Sequence, residues 1–360
     1  MHPIVPKSVP AVSRHGNNFN LIRLLFALGV ILAHAAELLD GTRLREPLTM
    51  LFGSLSLGEL GVNGFFLLSG YLIVKSWESA PQAWDFLKKR VLRIYPGFIA
   101  ASLICVWLIG PHVGNPRYWS DLDMGHFFAG LLLLQKPQTP PVFIGLHFEL
   151  INAAMWTIRF EFLMYLAVLL FGVGNLLRRK HVWLAATIAL FLINLIHSFR
   201  IAVPFRGTPD ILALQIVHLS LVFFAGGCFY LYRETVRRHT VLAQLALLIT
   251  LLSLFYPMVV NLAFATTGGY ALLYFCTAHT PALQWYNRLP DVSYGTYLAG
   301  WPVSQLLIWH WPGITLMPLI ILSLLLSMLY GAFSWYAIEK PFLRLKRRRT
   351  VSVAAPATNA

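Results

Sequence analysis

The chain has 360 residues, 58% of them hydrophobic and only 12% charged, with a mean hydropathy of +0.66. A soluble domain of this length does not carry so few charges, so the composition excludes one and indicates a polytopic helical membrane protein. The net charge of +14 is read as Lys and Arg gathered in cytoplasmic loops rather than as a nucleic-acid surface.

Residues 1–18 form a polar, proline-containing stretch. No small-residue cleavage site follows the first apolar run, so that run, at about 20–38, is expected to be a retained span and 1–18 a cytoplasmic tail. The first run holds Arg23 and His34. An ionisable residue inside a membrane helix is costly and by default marks a functional site. Eleven residues is close to three whole turns, so the two side chains share one helix face, separated by roughly 16 Å along the axis. The bland alternative is an Arg that reaches the headgroups and a His that caps the helix end.

The second run, 57–76, carries Gly58, Gly61, Gly64 and Gly70 with Asn63 and Ser69. Small residues at this spacing let helices approach closely, or leave a slot for a thin ligand. The third, 95–110, is preceded by FLKKRVLRIYP, which places Arg90 and Arg93 on one helical face. Two guanidiniums so placed can grip phosphates, or can simply be membrane-flanking charge. Pro96 suggests a bend where this basic segment meets the membrane.

A run at 124–135 is too short to span, so 111–155 is expected to be a long extracytoplasmic segment with a re-entrant or surface helix. Its Trp119, His126 and His147 are candidates for shaping an entrance. The next run, 156–175, holds Glu161 about five residues from its outer end, at the depth of His34. A buried carboxylate needs a partner. His34 is one candidate, which Glu161 would orient and make more basic; Arg159 is another. Further runs fall at 181–197, 211–232, 240–256, 258–277, 291–310 and 314–337. Cys105, Cys228 and Cys276 lie in apolar stretches without metal spacing and read as packing residues.

Basic clusters occur at Lys88/Lys89/Arg90/Arg93, Arg178/Arg179/Lys180, Arg233/Arg237/Arg238 and Arg344/Lys346/Arg347/Arg348/Arg349. With 124–135 outside the membrane, all four fall on one side together with both termini. The expected architecture is therefore all-α, with about ten transmembrane helices and cytoplasmic N- and C-termini. A membrane domain at 19–345 lies between the tail at 1–18 and a basic tail at 346–360. No internal repeat is evident, which counts against transporters built from inverted repeats.

Six segments in order resemble the acyltransferase-3 family of integral membrane acyltransferases. They are the Arg23/His34 pair, GVNGFFLLSGYLI at 61–73, KKRVLRIYP with Arg90 and Arg93, and NAAMWTIRFEFLMYL at 152–166 with Glu161. DVSYGTYLAGWPV at 291–303 and SWYAIEKPFLRL at 334–345 complete the set. Gly300 departs from the pattern, since the family often has His there; Trp301 or His310 are the candidate substitutes.

The resemblance implies transfer of an acyl group, most often acetyl, from acyl-CoA to a hydroxyl of an extracytoplasmic glycan or glycolipid such as O-antigen or exopolysaccharide. His34, Arg23 and Glu161 become the expected catalytic residues and Arg90 and Arg93 the donor-binding ones. Asn63, Ser69, Trp156 and Tyr294 are candidate lining. No metal and no cofactor beyond the acyl-CoA co-substrate is expected. The expected partners are the donor, the acceptor, the lipid bilayer of a bacterial inner membrane and separate glycan-assembly proteins, with no nucleic acid. A transporter or flippase for a lipid-linked sugar is the alternative; it accounts for the spans and intramembrane charges but not for the Arg90/Arg93 segment.

Overall fold

The computed structural model describes residues 17–202, 211–236 and 238–345. Most of the expected N-terminal tail, the tail at 346–360 with its basic residues, and Arg237 lie outside the described residues. Among those described, regular structure is helical, and the sole β feature is an isolated bridge between Gly114 and Val142.

Eight helices are long and apolar enough to cross a bilayer. In chain order the principal helices are α1 (Phe19–Asp40), α2 (Leu57–Ser79), α3 (Ala83–Val113), α4 (Trp156–Val173) and α5 (Lys180–Ala202). They continue with α6 (Ile211–Leu231), α7 (Thr240–Ser253), α8 (Pro257–Thr277), α9 (Ser293–His310) and α10 (Leu316–Arg344). The shorter α7 and the more polar α9 bring the set to the ten expected. The chain is an all-α, multi-pass membrane protein.

Helix α2 is the hub, packed against α1, α4 and α6, while α1 also packs on α9 and α10. The α2–α6 contact is close because glycines face backbone on both sides. A Cβ at Gly70 would stand 1.9 Å from the Phe223 carbonyl oxygen, and one at Gly226 would stand 2.1 Å from that of Leu67. Neither distance is compatible with a side chain, so these two glycines serve helix packing.

Two expectations need correction. Helix α3 runs without interruption through Pro96, so the basic segment is the first part of a membrane helix and not a separate approach; its irregularity comes later, as a π-helical stretch at Ile104–Ile109. Asn18, assigned to the tail, is instead buried. Its N–H donates to the Cys276 carbonyl at 2.8 Å and its side chain to that of Phe275 at 2.9 Å, which ties the start of α1 to the end of α8.

Segment 111–155 contains a nine-residue helix, Met124–Leu132, and otherwise mostly irregular chain. Its last part is threaded along α9. Irregular backbone is tolerated at such a place only if its polar groups find partners in the protein. Trp301 Nε1 donates to Leu150 O at 3.2 Å, and Tyr297 OH to Ala154 O at 2.6 Å. The return contact has a covalent origin. Pro302 lacks an N–H, which leaves the carbonyl four residues earlier, that of Leu298, without its helical partner. Asn152 Nδ2 donates to that oxygen at 2.9 Å. The three cysteines are free thiols, two buried and one half-buried.

Candidate functional site

Two cavities open along α1, one near each end. The first, of about 330 Å³, surrounds His34. His34 Nδ1 lies 3.2 Å from Glu37 Oε2, one turn further along the helix. The other Glu37 oxygen takes Arg43 Nε at 3.1 Å, and Arg43 also reaches Glu59 at 3.5 Å. A carboxylate only accepts, so neutral His34 carries its proton on Nδ1 and presents a bare Nε2. The Trp301 ring meets the imidazole edge to face, centroids 5.0 Å apart, and fixes its plane. An imidazole held in this way can take a proton from a hydroxyl. Asn63 and Trp156 line the same cavity, as do His218 and His197.

The second cavity, of about 320 Å³, holds Arg23, Ser69, Arg90, Arg93, Glu161 and Tyr294. Its three guanidiniums differ in kind. Arg93 bonds Asp291 at 2.7 Å and Glu339 at 3.0 Å, joining α3, the start of α9 and the end of α10. Arg23 lies 3.5 Å from the same Asp291 oxygen. Arg90 has no ion pair among the described residues; it sits over the Phe86 ring at 4.8 Å, with Nε and one terminal nitrogen buried and unpartnered. A buried guanidinium without an anion can bind one.

Glu161 is not the partner of His34. One of its oxygens accepts from Ser69 Oγ and Tyr165 OH, both at 2.5 Å, in the Arg90 cavity. Equal depth misled, because depth leaves the direction around each helix axis open. The expected catalytic set is thus divided: His34 stands in one chamber, Arg23 and Glu161 in the other. The expected donor pair is divided too, with Arg93 committed to carboxylates and Arg90 without an ion pair among the described residues.

The chambers share a wall. Val62 and Tyr297 line both, and Phe65 packs on the Tyr297 ring at 5.9 Å. Asn63 and Trp156 fall with His34, Ser69 and Tyr294 with Arg90. Trp119, His126 and His147 are exposed and line neither cavity. At Gly300 a Cβ would meet Ile31 at 2.5 Å, so the His common in the family has no room here. Of the two substitutes, Trp301 touches His34, whereas His310 pairs with His112 at 2.8 Å outside both cavities.

Sequence reasoning missed Glu37, Asp291, Glu339 and His218. Glu37 was signalled by its spacing of three from His34 on one helix, and Glu339 by its place in the closing motif. Nothing in the sequence joined Asp291 to Arg93.

Comparison with known proteins identifies the family. The family model described as an acyltransferase domain (Acyl_transf_3) matches residues 17–337. The O-acetyl transferase of Shigella phage Sf6 is 27% identical over 336 residues, covering 91% of this chain and 96% of the relative. Acyltransferase MdmB of Streptomyces mycarofaciens is 30% identical over 147 residues, 39% of this chain and 36% of the relative. Nodulation protein 10 of Rhizobium leguminosarum bv. viciae is 42% identical over 86 residues, 23% and 22% of the two chains. No solved structure matches the chain. The chain belongs to the acyltransferase-3 family and is an acyltransferase.

Proposed function

We propose that this family member moves a short acyl group, with acetyl the first choice, from acyl-CoA to a hydroxyl of a glycan or glycolipid at the bacterial inner membrane. The observation that carries the reading is the pair of chambers with complementary chemistry on either side of Val62 and Tyr297. One offers an unpaired guanidinium for an anionic donor; the other offers an oriented imidazole for a hydroxyl.

The donor phosphates bind Arg90 on the cytoplasmic side. Arg93 does not contact them; bonded to Asp291 and Glu339, it holds the wall of the chamber. Glu161 fixes Ser69 and Tyr165 beside the donor. The pantetheine arm reaches along the roughly 16 Å from Arg23 toward His34 and brings the thioester to the wall. The residues there shift for the two substrates to meet. His34 Nε2 then removes the acceptor hydroxyl proton, and the oxygen attacks the thioester carbonyl. The carbon–sulfur bond breaks, and the thiolate leaves as CoA thiol with the proton held by the imidazolium. Glu37 stabilises that imidazolium and keeps the ring in the productive tautomer.

The test is transfer of label from radiolabelled acetyl-CoA in detergent-permeabilised membrane vesicles supplied with cell-envelope glycans. Wild type is expected to form an alkali-labile ester and His34→Ala, at equal folded protein, to form none. Failure of wild type to use any short acyl-CoA would remove the proposed donor.

A further inference from the structure

The His34 chamber contains a second imidazole that the proton transfer above does not use. His218, on α6, places Nε2 3.0 Å from Asn63 Oδ1. That oxygen accepts, so the His218 proton lies on Nε2 and Nδ1 presents a lone pair. This Nδ1 is buried and has no hydrogen-bond partner among the described residues. Buried polar atoms are rarely left so, and each that is calls for a partner from elsewhere.

The remaining lining indicates what kind of molecule brings that donor. Ser198, Gln215 and His197 add hydroxyl, amide and imidazole groups, and Trp156 adds an aromatic surface. The charged lining is Glu37, Glu59 and Arg43, and Arg43 is spent on both carboxylates. An anionic ligand entering among these described residues would meet two carboxylates and no uncommitted cation. The contrast with the Arg90 chamber is direct.

We propose that His218, oriented by Asn63, binds the acceptor by taking a hydrogen bond from a hydroxyl next to the one that reacts, and that the acceptor is an uncharged polyhydroxylated sugar rather than an acidic one. This rests on the acyl-transfer reading. The second hydroxyl fixes the sugar ring while His34 addresses the first, so His218 governs affinity and choice of position more than the rate of proton removal.

The test uses the full chain in membrane vesicles with radiolabelled acetyl-CoA and two probe sets, uncharged octyl hexosides and the matching octyl uronides. Wild type is expected to label hexosides and to use uronides at least tenfold less well. His218→Leu is expected to raise KM for the best hexoside about tenfold, the worth of one hydrogen bond, with kcat changed less than threefold. His218→Gln, which keeps an accepting oxygen, is expected to recover most of the loss. Equal use of uronides overturns the proposal, and that comparison needs only wild-type protein. A His218→Leu KM within twofold of wild type also overturns it. If neither probe set is labelled while His34-dependent consumption of acetyl-CoA persists, the proposal falls and the acyl-transfer reading stands. If no His34-dependent consumption occurs, both fall.

Discussion

His34 and Glu37 stand one turn apart on α1, with Nδ1 and Oε2 separated by 3.2 Å. The pair is therefore preassembled by a single helix and does not wait for two distant spans to meet. Arg43 holds the far oxygen of the same carboxylate, which restricts Glu37 to the rotamer that serves His34. Glu37→Gln keeps the shape but removes the charge that holds the tautomer. Acyl transfer is expected to fall about 10²-fold or more, within the range of general-base contributions, with folded protein unchanged by gel filtration in detergent. Activity within threefold of wild type would show that His34 needs no carboxylate.

Arg93 is expected to behave as a structural residue. Arg93→Ala leaves Glu339, almost fully buried, without its cation and leaves Asp291 with Arg23 alone, at 3.5 Å. Removing one partner of a buried pair costs about 3–5 kcal/mol. The expected result is loss of folded protein or a clear fall in thermal midpoint. A well-folded Arg93→Ala protein with a raised donor KM would instead return Arg93 to the donor.

Asn152 and Pro302 form a testable couple. Asn152→Leu strands the Leu298 carbonyl and is expected to cost about 1–3 kcal/mol. Pro302→Ala restores a helical N–H four residues from that carbonyl. The double variant is expected to be more stable than the sum of the two single effects, a coupling that a thermal double-mutant cycle reads directly. Additive effects would mean that Asn152 acts on something else.

Helix α2 cannot retreat from α6 without disturbing both chambers, since it supplies Asn63 to one and Ser69 to the other. Gly70→Ala would push a methyl group into the Phe223 carbonyl. A loss of about 1–3 kcal/mol or more is expected from such overpacking, seen as a lowered thermal midpoint. Gly53→Ala, at a position with open space but a positive φ of 69°, is expected to cost less and to leave the chambers intact.

The helices and their number were legible because hydropathy and charge asymmetry report directly on lipid contact and loop side. Part of the chamber lining was legible as well: Arg23, His34, Asn63, Ser69, Arg90, Trp156, Glu161 and Tyr294 all line a chamber, whereas Glu37 and His218 were not singled out. Their pairing was not. Charge and depth can be read along a helix, but the partner of Glu161 depends on rotation about two axes. That is why Ser69 and Tyr165, not His34, hold it. The equal treatment of Arg90 and Arg93 failed for a related reason. Both lie on one face of α3, yet Asp291 and Glu339 lie 198 and 246 residues away along the chain, and sequence spacing does not announce such contacts.

The most direct measurement is a donor-concentration series for wild type, Arg90→Ala and His34→Ala in inverted vesicles, at matched levels of folded protein. Division of labour between the two chambers is expected to split the constants. Arg90→Ala should raise the acetyl-CoA KM about tenfold or more, as loss of a charged hydrogen-bond partner does, with kcat largely kept. His34→Ala should lower kcat by about 10²-fold or more without moving the donor KM. An unchanged donor KM in Arg90→Ala, or a His34→Ala protein that transfers label as wild type does, would contradict the two-chamber account.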